Sequence, residues 1–220
     1  MLTQIKGAIF DMDGTLIDSL MVWDVIWDAF GKQFLGGKEF PITDADDKAI
    51  RTMTLQDGME SLHTKYGIGK DGAELLDAAN TIILDFYANE VELKDGVLEF
   101  LEYCRSNGIK MCVASATALP LIHIAMEHCQ IKEYFTDVLS CAEIGKGKDE
   151  PDIYMLAQSR LGTSAEETCV FEDSHIAIAT ADRLGMKTVG IYDKYNFGQE
   201  EIKKIATVYI AEGETLQKLI

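Results

Sequence analysis

Apolar residues arrive in short dense runs, separated by longer stretches in which they recur every three or four positions. Ile5 to Phe10, Ile109 to Ala114, Val138 to Leu139, Thr168 to Phe171, Lys187 to Ile191 and Thr207 to Ile210 are the dense runs. They predict strands. Between them lie helical patterns such as Val97 to Asn107, with Gly108 as its stop. Strands alternating with helices imply an α/β chain built on a doubly wound, mostly parallel sheet.

One interval breaks the alternation. About 80 residues separate the first strand from the helix at Val97 with no convincing strand, far beyond a crossover loop. Leu20, Trp23, Ile26, Trp27 and Phe30 repeat there at helical spacing, and a second helix is predicted over Ala73 to Tyr87. The two tryptophans share one stripe and read as core. The expected organisation is a core of residues 1–17 and 96–220, with an inserted small helical unit over 18–95.

Composition narrows the class. The 220 residues carry 37 acids against 20 bases, a formal charge of −17, which repels nucleic acid and anionic membrane surfaces. No apolar run reaches the ~20 residues of a membrane span, and Met1 to Phe10 lacks a signal-peptide pattern. Cys104, Cys112, Cys129, Cys141 and Cys169 are odd in number and scattered, so they read as buried thiols rather than a disulfide framework or zinc site. The expectation is a cytoplasmic protein in which nothing demands more than a monomer, without nucleic acid or membrane partners.

The chemistry gathers at the predicted strand ends. Asp11, Met12, Asp13, Gly14 and Thr15 follow the first strand. Carboxylates one residue apart in alternation point the same way, so Asp11 can attack phosphorus while Asp13 handles protons. Taken alone, the same string also reads as a turn dipeptide behind a helix cap. Ser115 ends the second strand before Ala116, Thr117 and the helix that Pro120 opens, a place for a phosphate oxygen or a simple cap. Lys148, preferred to Lys146, precedes the helix that Pro151 opens, where a cation does not serve the dipole. A solvated surface lysine is its alternative. Glu172, Asp173 and Ser174 follow the strand Thr168 to Phe171, and acids in that position suit Mg²⁺. In the helical insertion Arg51 is the best candidate for a substrate anion, against a surface ion pair.

In this order and at these strand ends, the four groups resemble the signature motifs of the haloacid dehalogenase superfamily, nearest its β-phosphoglucomutase and phosphoglycolate phosphatase branch. The resemblance covers residues 1 to 17 and about 96 to 220, and departs from the family pattern at Asp149-Glu150. It implies a Rossmann-like core with a helical cap over the substrate, hinged near Ile17 to Leu20 and Lys94 to Gly96. It implies Asp11 as nucleophile and Mg²⁺ ligand, and Asp13 as acid/base with its carbonyl on the metal. Ser115 and Lys148 hold the phosphoryl group, with Gly14, Thr15 and Ala116 beside it. Asp173 binds Mg²⁺ with Glu172 next to it.

Mutase relatives place a histidine in the first cap helix, where this chain has Trp23. The preferred reading is therefore a Mg²⁺-dependent phosphomonoester hydrolase of a small phosphorylated metabolite, with a hexose-phosphate mutase as alternative. A phosphate sensor without turnover, like receiver domains, stands behind both, because a mere acceptor does not need Asp13.

Overall fold

The structure is a computed structural model that describes residues 5–51 and 53–220; residues 1–4 of the expected core lie outside them. The described residues form two compact units. One comprises the chain up to Leu20 together with Val91–Ile220, and the other is Met21–Glu90.

The Met21–Glu90 unit is helical. It contains α1 (Val22–Phe34), α2 (Asp44–Arg51), α3 (Leu55–Tyr66) and α4 (Gly72–Asn89). Thr54 and Asp71 cap α3 and α4 by accepting from Asp57 N–H and Glu74 N–H. Ile26, Trp27 and Phe30 of α1 pack with Phe40, Met59, Leu62, Leu75 and Ala79 into the unit's own core. Trp27 Nε1 donates to Asp47 Oδ1 at 2.8 Å, so its one polar atom is satisfied.

The larger unit holds the sheet, of β1 (Gly7–Phe10), β2 (Lys110–Ser115), β3 (Asp137–Ser140), β4 (Thr168–Glu172), β5 (Lys187–Ile191) and β6 (Val208–Ile210). Its helices are α5 (Val97–Ser106), α6 (Leu119–His128), α7 (Cys141–Ile144), α8 (Asp152–Leu161), α9 (His175–Arg183) and α10 (Gln199–Ile205). The strands run in the order β3-β2-β1-β4-β5-β6, and every pairing is parallel.

Side-chain alternation along β1 splits the core into two layers. Phe10 stacks on Phe171 with centroids 4.4 Å apart and meets Phe100 of α5 edge-on at 6.2 Å. Ile9 belongs to the opposite layer, with Val170 and with Tyr154, Ala157 and Leu161 of α8. With both faces covered, every residue of β1 and β4 is buried, which is why these strands are unbroken apolar runs.

β1 also sits where the strand order reverses. Its neighbours are β2 on one side and β4 on the other, so the crevice beyond their carboxyl ends is the ligand position of a doubly wound sheet.

The boundary between the units falls after Leu20 and before Val91, rather than after 17 and before 96. The reason is hydrogen bonding. Asp18 N–H donates to Glu92 O at 2.9 Å, Lys94 N–H to Leu16 O at 3.0 Å, and Ile17 and Leu93 form an antiparallel bridge. The two connecting segments therefore form a short ribbon belonging to the sheet unit. Among the described residues, no helix is long and apolar enough to cross a membrane. The five cysteines are free, four of them buried.

Candidate active site

The first carboxylate is placed by the central strand. Asp11 follows β1 directly, its N–H donating to Phe171 O at 3.0 Å, and its side chain is buried. Lys148, in the segment between α7 and α8, sends its ammonium to both Asp11 Oδ1 and Glu172 Oε1 at 2.5 Å. Lys146 is exposed and pairs with Asp152 instead. Asp149 and Glu150, the departure from the family pattern, are exposed to solvent.

Glu172 is the last residue of β4. Its Oε1 also accepts from Tyr154 Oη at 3.2 Å, and its Oε2 from Ser174 N–H at 3.2 Å. Asp173 is held from the loop after β5, where Asn196 Nδ2 donates to its Oδ2 at 2.8 Å and its carbonyl at 2.9 Å. Thr15 Oγ1 lies 3.5 Å from Asp173 Oδ1.

Asp13 has a separate setting. Ser19 Oγ donates to Oδ1 and Thr117 Oγ1 to Oδ2, both at 2.7 Å. Two hydroxyls therefore fix the plane of a partly exposed carboxylate. Ser115, buried at the end of β2, accepts from Thr117 N–H at 3.1 Å, and Ser140 Oγ donates to Thr117 O at 2.6 Å. Ala116, between these two residues, is exposed.

Gly14 is required by the turn. It has φ of +75°, and a Cβ there would lie 2.2 Å from Asp173 Oδ2. The chain can bring the Asp11–Thr15 turn against Asp173 only without a side chain at 14.

Burial and like charge dominate the electrostatics. Asp11 is pushed well above the ordinary carboxylate range by burial, opposed by Lys148 and reinforced by Glu172, Asp173 and Asp13. Asp173 is raised to about 7 by burial and by Glu172, against the Asn196 hydrogen bond. For Lys148 burial disfavours the charge, but Asp11 and Glu172 outweigh it and raise its pKa. It stays an ammonium.

Three buried carboxylates thus face one cation. Oxygens of Asp11, Glu172 and Asp173 lie within 4.8 Å of one another. An all-oxygen donor set with uncompensated negative charge fits a hard divalent ion such as Mg²⁺.

The structure thus brings together Asp11, Lys148, Glu172, Asp173, Gly14 and Thr15, and joins Asp13 to the end of β2 through Thr117. Arg51 lies in the helical unit. Its Nε reaches both carboxylate oxygens of Asp47 at 2.9 Å, and its guanidinium sits 5.6 Å from the Trp23 ring centroid. Sequence reasoning passed over Ser19, Thr117 and Asn196. Thr117 carried a signal, a hydroxyl two residues beyond Ser115; Asn196 carried none.

The family model for haloacid dehalogenase-like hydrolases matches residues 8–191. The chain belongs to the haloacid dehalogenase-like hydrolase family and is an enzyme of that class. It is 24% identical to the phosphorylated carbohydrates phosphatase of Thermotoga maritima, over 97% of this chain and 98% of that one. To the phosphoglycolate phosphatase of Salmonella typhi it is 26% identical, over 90% and 85%. The crystal structure of a Thermotoga maritima protein provisionally named a β-phosphoglucomutase matches with a TM-score of 0.83 at 23% identity, covering 98% of both chains.

Proposed function

We propose that this enzyme is a Mg²⁺-dependent phosphomonoester hydrolase acting on a small phosphorylated metabolite, sugar phosphates foremost, through a phosphoaspartate at Asp11. The observation that carries the reading is the pairing of Lys148 with Asp11 and Glu172 beside Asp173, at the carboxyl edge where the strand order reverses. The phosphatase names of the relatives support the reaction class.

In the first step a carboxylate oxygen of Asp11 forms a bond to phosphorus while the ester P–O bond breaks. Asp13 gives its proton to the leaving oxygen. Water then attacks phosphorus, its proton goes to Asp13, the Asp11–phosphorus bond breaks, and inorganic phosphate is released. Lys148 and Ser115 hold the phosphoryl oxygens, with Gly14, Thr15 and Ala116 lining the approach. Asp11, Asp173 and the Asp13 carbonyl, with Glu172 beside them, would hold Mg²⁺, which would supply positive charge to a step that depends on positioning and charge neutralisation.

Water is favoured over a sugar hydroxyl as second acceptor because α1 carries Trp23, not a histidine. Trp23 packs against Trp27 with ring centroids 5.5 Å apart and lies under Arg51. It offers no imidazole to shuttle the hydroxyl proton. Arg51, already paired, is the helical unit's candidate for a second anionic group. Five free thiols suit a reducing compartment such as the cytoplasm.

The test is phosphate release from a panel of phosphorylated sugars, polyols and glycolate, with Mg²⁺ and with a chelator. Release that stops on chelation supports the reading. Isomerised glucose phosphate without free phosphate establishes the mutase, and a phosphoprotein that never turns over establishes a sensor.

A further inference from the structure

Lys94 stands outside every motif, in the segment by which the chain re-enters the sheet unit. Its backbone N–H is bonded to Leu16 O, next to the Ile17–Leu93 bridge. Its ammonium has three acceptors: Gly14 O at 2.8 Å, Asp193 Oδ2 at 2.6 Å and Tyr192 O at 3.3 Å. Three donors meet three acceptors, so the group is saturated. The side chains of Lys94 and Asp193 are 19% and 2% exposed.

Both anchors lead to the acids of the site. Gly14 is the positive-φ residue of the turn that carries Asp13 and Thr15. Asp193 is fixed in turn, its Oδ1 accepting from Tyr195 N–H at 2.8 Å and its carbonyl from Asn196 N–H at 3.2 Å. Asn196 is the residue whose amide clamps Asp173. One ammonium therefore ties the returning segment to the turn after β1 and to the loop after β5.

We propose that Lys94 is a positioning residue for the phosphoryl transfer, orienting the Gly14 peptide and the 193–196 loop so that Asp13 and Asp173 hold their places. The proposal rests on the phosphatase reading of the same site. A neutral side chain would leave Gly14 O without its charged donor and Asp193 buried without its counter-charge. These two consequences can be separated, because converting Asp193 to Asn removes the second and leaves the first.

The deciding variant is Lys94→Met combined with Asp193→Asn, with Lys94→Met alone as the second. Melting temperature, Mg²⁺ affinity by calorimetry, kcat and KM for p-nitrophenyl phosphate, and hydrogen exchange at the Gly14 and Ile17 amides are measured. Both amides are bonded within the turn, to Ile17 O and Met12 O. The double variant is expected to melt near wild type, yet to exchange faster at both amides, bind Mg²⁺ more weakly and lose about 10- to 100-fold in kcat, with KM changed far less.

A folded double variant with wild-type exchange and kcat overturns the proposal and leaves Lys94 as the counter-ion of Asp193. Failure of both variants to fold overturns it in favour of a purely structural ion pair. The exchange readout needs no turnover. Unchanged exchange therefore strikes at Lys94 alone, whereas a wild-type protein that releases no phosphate strikes at the function.

Discussion

Thr117 Oγ1 donates a 2.7 Å hydrogen bond to Asp13 Oδ2, across 104 residues of sequence. It joins Thr117, two residues beyond Ser115 at the end of β2, to the turn after β1, which holds the carboxyl proposed to handle the proton. Thr117 N–H is itself bonded to Ser115 Oγ. One residue therefore links the Ser115 hydroxyl to the Asp13 carboxylate, the proposed phosphoryl-binding group and general acid.

Thr117→Val keeps the shape and removes the hydroxyl. The expected result is a drop of about tenfold in kcat on an alkyl phosphate, and a smaller one on p-nitrophenyl phosphate, whose leaving group needs little acid help. Ser19→Ala removes the other donor and should show the same substrate dependence. Equal losses on the two substrates would separate both hydroxyls from proton transfer.

Asp11→Asn removes the attacking oxygen's charge and leaves the volume unchanged. Turnover should fall by at least roughly a thousandfold, as expected when the nucleophile is lost, with the far-ultraviolet spectrum of a folded protein. No phosphoprotein should form from labelled substrate. A folded variant that keeps a few per cent of the wild-type rate would rule out Asp11 as the nucleophile.

Lys148→Met tests the opposite charge. The Lys148 side chain is 11% exposed and bonds two carboxylates, the side chain of one, Glu172, being 1% exposed. Removing one partner from a buried ion pair typically costs about 3–5 kcal/mol, so the metal-free variant should melt well below wild type. Adding Mg²⁺ should recover part of the loss, because the divalent ion offers a second source of positive charge to the same acids. An unchanged melting temperature would mean that the carboxylates do not depend on Lys148.

The middle of the sheet was legible because β1 and β4 are buried on both faces, so density of Val, Ile, Phe and Cys located runs such as Ile5 to Phe10 and Thr168 to Phe171 without any help from alternation. The helical insertion was legible only in outline. In α2 the single buried residue is Ile50, among three aspartates, two alanines, a lysine and an arginine, so one large apolar residue carries its pattern; Asp47 also meets Trp27, a contact across 20 residues. The same limit applies to the site. Asp11, Asp13 and Asp173 stand at strand ends, where an apolar run stopping at an acid is visible. Lys94, Ser19 and Asn196 are polar residues in connections, and their importance comes from what the fold sets beside them.

The acid cluster also makes stability depend on pH in an unusual direction. Asp173 has its pKa raised from 3.8 to about 7, and Asp11 is raised as well. Between the unfolded and folded values the native state holds more protons than the unfolded chain, so stability falls as pH rises through that window. The contribution is fully present below about pH 4 and is gone above about pH 7. Paired carboxylates with lowered values give the opposite slope, and exposed ones such as Glu200 carry little weight. Metal-free protein should therefore show a melting temperature that declines from about pH 5 to about pH 7 and levels off once the native carboxyl also ionises. Mg²⁺ binds only the deprotonated acids, so its stabilising effect should grow over the same span and oppose the decline. Asp173→Asn removes the group whose raised pKa, about 7, marks the top of this window. It should flatten the metal-free profile and raise the Mg²⁺ concentration needed for half-maximal activity. A melting profile equally steep in wild type and Asp173→Asn would show that Asp173 does not carry the raised pKa.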